Sequence, residues 1–134
     1  MSSNRLAAIS ASVVVLLTIS VGLYILGTPS QERFRRLDEQ RIADLLLLSR
    51  AVNANYLISN RLPANLDSMQ DGTRLSRIPR DPETSSMYEY EQVAADAYRL
   101  CAEFLTQSNE ARLDDFWEHS EGRQCFSFNA QSTY

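Results

Sequence analysis

Residues Leu6–Leu26 read LAAISASVVVLLTISVGLYIL, without one charged side chain. A helix of about 20 residues covers about 30 Å, the thickness of the hydrocarbon layer of a bilayer. A core helix this apolar on all sides needs a larger protein around it, and Ile25 stands where signal-peptide cleavage requires a small residue. We therefore predict a retained transmembrane helix, with these membrane-spanning residues among others: Leu6, Ala7, Val13, Leu16, Val21 and Leu26.

This prediction divides the chain into a tail (1–5), a transmembrane helix (6–27) and an outer domain (28–134). The outer part carries all 17 acids and 12 of the 13 bases, and the whole chain has a net charge of −4. This acidic balance argues against nucleic acid as a partner, because phosphate binding needs clustered positive charge. The one basic cluster, 33–36, is interleaved with acids, which favours a solvated or headgroup-level helix face.

The two cysteines, Cys101 and Cys125, are an even pair without C-x-x-C spacing, so we predict a disulfide rather than a zinc site. Disulfides persist outside the cytoplasm. The positive-inside rule is ambiguous here, because Arg5 and the 33–36 cluster flank the span on opposite sides. We therefore use the cysteines to orient the chain, with the tail in the cytoplasm and the outer domain outside.

A second helix is predicted from about Pro29 to about Ser59. Thr28 suits its N-cap, Pro29 suits its first turn, and Pro63 disfavours helix at the residue before it. Helical spacing places these residues on one apolar face: Ile42, Leu45, Leu46, Ser49, Val52 and Tyr56. The run 45–48 surrounds most of the helix. We favour an ordinary core-plus-edge helix; burial by both the domain's own sheet and a partner is the alternative.

Three strands are predicted after a long loop. That loop should pack through Leu66, Met69, Leu75 and Ile78. Alternating side chains indicate strands at 87–93, 98–104 and 124–128, and the first two should form an antiparallel hairpin. A sheet of about three strands needs a cover for its apolar face, which the long amphipathic helix supplies. The predicted fold class is α+β.

The layout and several short motifs resemble type IV pilins and type II secretion pseudopilins. Asp81-Pro82-Glu83-Thr84-Ser85-Ser86-Met87-Tyr88-Glu89-Tyr90 matches a pseudopilin-like pattern at the entry to the sheet. Leu62-Pro63 and Trp117-x-His119-x-x-Gly122-x-x-Cys125-Phe126 also resemble a group of uncharacterised bacterial single-span proteins with pilin-like outer domains. The resemblance implies a membrane helix that continues into a long helix on a small sheet. It also implies a bacterial inner-membrane location, with the outer domain in the periplasm.

The resemblance departs from pilins at the N-terminal segment. Those proteins carry a leader ending in glycine and a glutamate shortly inside the apolar stretch. This chain reads Asn4-Arg5-Leu6-Ala7-Ala8-Ile9 there, and its first acid is Glu32. Prepilin processing and a filament role therefore stay open, since the same fold can be kept while the filament role is dropped.

The segment FWEHSEGRQCF, residues 116–126, concentrates rare residue types. His119 with nearby carboxylates suggests a metal or acid–base site, but one histidine lacks the ligand set of zinc. Calcium at Asp114 and Asp115 lacks the alternating oxygen ligands that it prefers, and it stays open. A catalytic cysteine beside His119 requires a free thiol, whereas we expect a disulfide. We therefore expect no enzyme, no cofactor and no metal.

Two functions follow as expectations. The first is a membrane-anchored, pilin-like protein with a structural or interaction role in an assembly of the pilus or secretion type. The alternative is an accessory subunit of a large respiratory or photosynthetic membrane complex. Both need other membrane proteins as partners, and neither needs a small-molecule substrate. We predict the following partner contacts: Trp117, His119, Leu46 and Leu47.

Overall fold

The computed structural model describes residues 3–26, 29–69, 77–108 and 115–131. The chain forms two compact units, Met1–Arg33 and Phe34–Tyr134. Helix α1, Ser3–Leu26, belongs to the first unit. It contains an apolar window, Ala7–Tyr24, that is long enough to cross a membrane and of which no residue is buried. The structure is therefore consistent with the predicted membrane helix.

The hydroxyl side chains of α1 bond to the helix itself. Ser12 donates to the Ala8 carbonyl at 3.0 Å and Ser20 donates to the Leu16 carbonyl at 2.8 Å. Thr18 donates in the same way to carbonyls one turn earlier. A polar group in hydrocarbon is costly unless it is hydrogen-bonded. These hydroxyls therefore do not prevent α1 from lying in lipid.

Helix α2 has the predicted bounds, Pro29–Ser59. It ends where Asn60 takes a left-handed conformation (φ 51°) and its amide donates to the Tyr56 carbonyl at 2.7 Å. Asparagine tolerates this conformation better than most residues, and Pro63 then prevents a new helical turn. The predicted N-cap Thr28 lies outside the described residues.

Three strands form one antiparallel sheet in the order β1-β2-β3: β1 is Glu89–Gln92, β2 is Ala97–Phe104 and β3 is Gly122–Asn129. The predicted hairpin of β1 and β2 is present. Strand β1 is shorter than predicted because Met87 pairs only with Arg80, in an isolated bridge. Strand β3 starts earlier than predicted, at Gly122, whose φ of 97° suits a residue without a Cβ. The α+β class is consistent with this architecture.

The inner face of the sheet supplies half of the hydrophobic core. Alternate residues of β2 are buried, as predicted: Tyr98, Leu100, Ala102 and Phe104. Phe126 and Phe128 of β3 join them. Helix α2 supplies the other half, chiefly through Leu45, Leu48 and Val52, all 0% exposed. The predicted helix face is buried except for half-buried Leu46 and Tyr56, and it omitted Leu48.

Strand β2 runs antiparallel to α2 along its length. At one end the Tyr98 hydroxyl donates to Asn53 Oδ1 at 2.8 Å. At the other end the Leu105 amide donates to Asp38 Oδ1 at 3.0 Å. The helix rises roughly 22 Å between Asp38 and Asn53, and the strand covers roughly 23 Å between Tyr98 and Leu105. The two segments therefore have similar lengths, and a hydrogen bond joins the helix to the strand at each end.

The connection from α2 to β1 packs on the core as predicted. It contains a short 3-10 helix, Asp67–Met69. Leu66, Met69 and Ile78 are buried, whereas the predicted contact of Leu75 lies outside the described residues.

Candidate functional site

A buried arginine joins three segments of the outer domain. Arg41 lies on α2 and is 1% exposed. Its Nε donates to Asp81 Oδ2 at 2.6 Å, its Nη1 to Asp38 Oδ1 at 2.9 Å and its Nη2 to Glu83 Oε2 at 3.1 Å. We call these four residues the Arg41 cluster. Burial alone would lower the pKa of Arg41. The hydrogen bonds to Asp81, Asp38 and Glu83 outweigh burial, so the pKa is raised above its ordinary value.

Asp38 extends the Arg41 cluster to the end of β2. Its Oδ2 accepts hydrogen bonds from the Thr106 amide at 2.8 Å and from the Thr106 hydroxyl at 2.7 Å. With the Leu105 amide and Arg41, this carboxylate has four donors around it. A buried carboxylate is tolerated only with such compensation. Asp38 therefore ties α2 to the segment that leaves the sheet.

Asp81 organises the turn that carries the Asp81-Pro82 motif. Its Oδ1 accepts from the Glu83 and Thr84 amides at 3.0 and 2.9 Å. Burial alone would raise the pKa of Asp81, but the Arg41 hydrogen bond and these two amides lower it to about 2. The Asp81-Pro82 motif thus has a structural role here, because its aspartate pairs with the buried arginine.

Asp44 and Tyr88 form a second buried contact beside the cluster. The Tyr88 hydroxyl donates to Asp44 Oδ2 at 2.8 Å. Burial raises the pKa of both groups, and the hydrogen bond to Asp44 raises the pKa of Tyr88 further. In this pairing the phenol donates and the carboxyl oxygen accepts. The arrangement is suited to holding α2 against the sheet rather than to moving protons.

His119 lies inside the segment between β2 and β3. We call residues 105–121 the closing loop; its residues 109–114 are outside the described part. The His119 ring stacks on Phe104 with centroids 3.9 Å apart and is 5% exposed. Its backbone pairs with Ser108 in both directions, at 2.9 and 3.0 Å. Burial lowers the pKa of His119, although the Ser120 carbonyl and Asp38 partly offset this.

This burial bears on the partner contacts that the sequence suggested. His119 offers little surface, whereas Trp117 is half-buried and packs on Phe126 with centroids 4.9 Å apart. A shallow polar depression of about 310 Å³ lies beside His119, lined by Gln107, Glu118, His119, Ser120 and Gln124. The packing of Trp117 on Phe126 anchors this part of the loop on the core. Contact of either residue with a partner stays a prediction.

The predicted disulfide between Cys101 and Cys125 is present, and the described residues contain no free cysteine. The two residues stand opposite each other in the register of β2 and β3. Arg123 covers the bond, with Nη2 3.7 Å from Cys101 Sγ and 2.6 Å from Glu89 Oε2. A cysteine nucleophile beside His119 is therefore not supported, since both sulfur atoms are bonded to each other.

The remaining predicted residues have the following environments. Leu46 is half-buried and Leu47 is 43% exposed on α2. On α1, Ala7, Val13, Leu16 and Val21 are exposed, and Leu6 and Leu26 lie within the helix but their side chains are outside the description. Within the described ranges no group of three or more His, Cys, Asp or Glu side chains can hold a metal ion. The calcium candidates fall on Asp114, outside those ranges, and on Asp115, whose side chain is not described.

Sequence reasoning missed the Arg41 cluster. Its signal was present in the helix periodicity, because Asp38, Arg41, Leu45, Leu48 and Val52 recur at alternating intervals of three and four residues. Such a row faces one side of a helix. Two charged residues in line with three core leucine and valine positions indicate a buried ion pair that needs further partners.

The chain was compared with protein-family models, curated proteins and solved structures, and none of the three comparisons gave a match.

Proposed function

We propose that this protein is a single-pass membrane protein whose outer domain has a structural or interaction role in a membrane-associated assembly. The observation that carries the proposal is the apolar window Ala7–Tyr24, in which no residue is buried. An uncovered apolar surface of this size is unfavourable in water. Lipid or partner helices satisfy it.

The proposed orientation places the outer domain in the periplasm of a bacterial inner membrane. The disulfide Cys101–Cys125 supports this side, because thiols in the cytoplasm are kept reduced. The short tail then lies in the cytoplasm.

The proposed role is pilin-like, of the pilus or secretion type, and not catalytic. Support comes from the layout, in which a helix of 31 residues packs on a three-stranded antiparallel sheet. Further support comes from apolar side chains that α2 leaves uncovered. Leu47 is 43% exposed, and Leu57 and Ile58 are 80% and 82% exposed. We propose this row as the surface that partner subunits contact.

A fractionation and fusion experiment tests the anchoring and the orientation. The protein should stay in membranes during alkaline carbonate extraction. A C-terminal alkaline phosphatase fusion should be active and a C-terminal green fluorescent protein fusion dark. Release by carbonate contradicts the anchor, and the opposite fusion pattern contradicts the orientation.

Purification in mild detergent, with identification of co-purifying proteins, tests the role. Secretion or pilus components support the first function, and subunits of a respiratory or photosynthetic complex support the alternative. Leu57→Gln with Ile58→Gln should reduce recovery of the partner. Val93→Gln is the matched control, because Val93 is a 58% exposed apolar residue on the β1–β2 turn. Recovery of a monomer alone contradicts both functions.

A further inference from the structure

We infer that the first turns of α2, at Arg33, Phe34, Arg35 and Arg36, bind the anionic headgroups of the membrane that holds α1. This inference rests on the proposed membrane anchor and names the surface that the outer domain meets. The three arginines are exposed, and Phe34 is 38% exposed. Within the described residues these arginines make no hydrogen bond and no ion pair.

Asp38, an acid that lies close to this cluster in the sequence, is buried away from it in the structure. Asp38 is 3% exposed and faces inward, where Arg41, Leu105 and Thr106 hold its carboxylate. It therefore does not neutralise Arg35 or Arg36. Glu32 and Glu39 stay exposed beside the cluster, so three arginines stand against two exposed acids. The segment is still a net positive patch on a chain of net charge −4, which gives it charge complementarity with anionic lipid.

Two other arginines with exposed side chains in the outer domain form ion pairs with glutamates. Arg99 Nη2 is 2.6 Å from Glu91 Oε2, and Arg123 Nη2 is 2.6 Å from Glu89 Oε2. Arginines in such pairs have part of their charge compensated. Arg50, Arg61 and Arg77 are also exposed without a described ion pair, but they are scattered along the chain. The 33–36 cluster is different because it places three such arginines within four residues.

The arrangement of the cluster around the helix favours lipid over a protein partner. Successive helical residues point about 100° apart, so four consecutive residues surround the axis. A docking face for one protein needs side chains on one side of the helix. A ring of arginines instead suits a helix at a headgroup layer, where arginine side chains lay their apolar stems along apolar surface and keep their charged ends in water.

The distance along the chain fits this location. The apolar window ends at Tyr24, and Arg33 follows nine residues later. Nine residues span roughly 14 Å as helix and at most roughly 30 Å when extended. The headgroup region on one side of a bilayer is roughly 5–8 Å thick. Both lengths exceed this thickness, so the chain is long enough for the cluster to meet the headgroups when α2 lies obliquely or along the membrane surface.

Lipid retention by the full-length protein tests this inference. The protein is purified in detergent with equal amounts of phosphatidylglycerol and phosphatidylcholine, and retained lipids are counted by native mass spectrometry. Basic residues near an anionic surface contribute roughly fivefold each in binding, or roughly a hundredfold for three. The triple variant Arg33→Gln, Arg35→Gln, Arg36→Gln should therefore lower the ratio of phosphatidylglycerol to phosphatidylcholine at least about tenfold.

A matched triple variant removes the same charge elsewhere. Arg50→Gln, Arg61→Gln, Arg77→Gln changes three exposed arginines of the outer domain and should leave the ratio within about twofold of the wild type. Equal ratios in all three proteins, or an equal fall in both variants, would overturn the inference. Carbonate extraction separates the two proposals. Release of the wild type refutes the anchor, whereas retention with unchanged lipid preference refutes only the headgroup contact.

Discussion

At the scale of single residues, Arg41 is the least tolerant position that the structure identifies. Its buried guanidinium contacts three carboxylates: Asp38, one turn earlier on α2, and Asp81 and Glu83, which are 40 and 42 residues away. A single charge in a buried position is destabilising, whereas buried charges of opposite sign are tolerated when they pair with each other. The cluster therefore makes the assembly of α2, the Asp81 turn and the closing loop depend on one side chain.

We expect Arg41→Met to lower the free energy of unfolding by about 3–5 kcal/mol, because it leaves buried carboxylates without their cation. Denaturant unfolding of the full chain in detergent, followed by circular dichroism, measures this change. Arg99→Met is the control. It breaks the exposed pair with Glu91 and should cost about 0–1 kcal/mol. Equal losses in the two variants would contradict a special role for Arg41.

His119 gives the closing loop a dependence on pH. Burial lowers its pKa in the folded protein below the ordinary value of 6.5. Below pH 6.5 the unfolded chain therefore binds a proton that the folded chain resists, and stability falls as the pH falls. His119→Phe keeps an aromatic ring on Phe104 and should flatten the stability profile just below pH 6.5. Melting temperatures between pH 7.5 and 5 measure it; a parallel profile in the variant refutes the role of His119.

At the scale of elements, the disulfide acts on the sheet. It joins residues 24 apart in sequence that are already opposite each other in β2 and β3. Its effect is therefore mainly to restrict the unfolded chain, which the chain-entropy model puts at about 3–4 kcal/mol.

Removing one or both cysteines of the disulfide should give the same loss of stability. Cys101→Ala, Cys125→Ala and the double variant should each lower stability by about 3–4 kcal/mol, since either single change removes the whole bridge. The comparison uses thermal melting under oxidising conditions, with the wild type under reductant as reference. Additive losses in the double variant would show that packing of the two side chains, and not the bridge, carries the stability.

Elements were also the part of the fold that the sequence predicts best. Pro29 and the Asn60–Pro63 break are local signals, and the helix has the bounds that they indicate. Alternation likewise marks β2 from Tyr98 to Phe104. The Asp38–Arg41 pair is visible in the helix periodicity, but its contacts with Asp81 and Glu83 were not predictable, because these residues are 40 and 42 positions away and no local pattern encodes that pairing. The same holds for His119, whose burial depends on the position of Phe104.

At the scale of the whole molecule, the outer unit has its own core. The buried apolar residues run from Ile42 to Ala130, all within Phe34–Tyr134. We expect a fragment of residues 34–134, exported to an oxidising compartment, to be folded without α1. It should melt cooperatively within a few degrees of the full chain. A fragment that shows no cooperative transition while its disulfide is formed would contradict an independent core.

The Arg41 cluster also has a kinetic consequence. Arg41 meets Asp81 across 40 residues and Asp38 meets Thr106 across 68, so two long loops must close before the charges are compensated. Closing these long loops costs chain entropy early in folding. Buried charges that are only partly paired do not stabilise the chain enough to offset this cost. The cluster should therefore form after the folding transition state. Substitution of Arg41 should accelerate unfolding and leave the refolding rate nearly unchanged in stopped-flow measurements, which would make Arg41 a determinant of how long the outer domain stays folded.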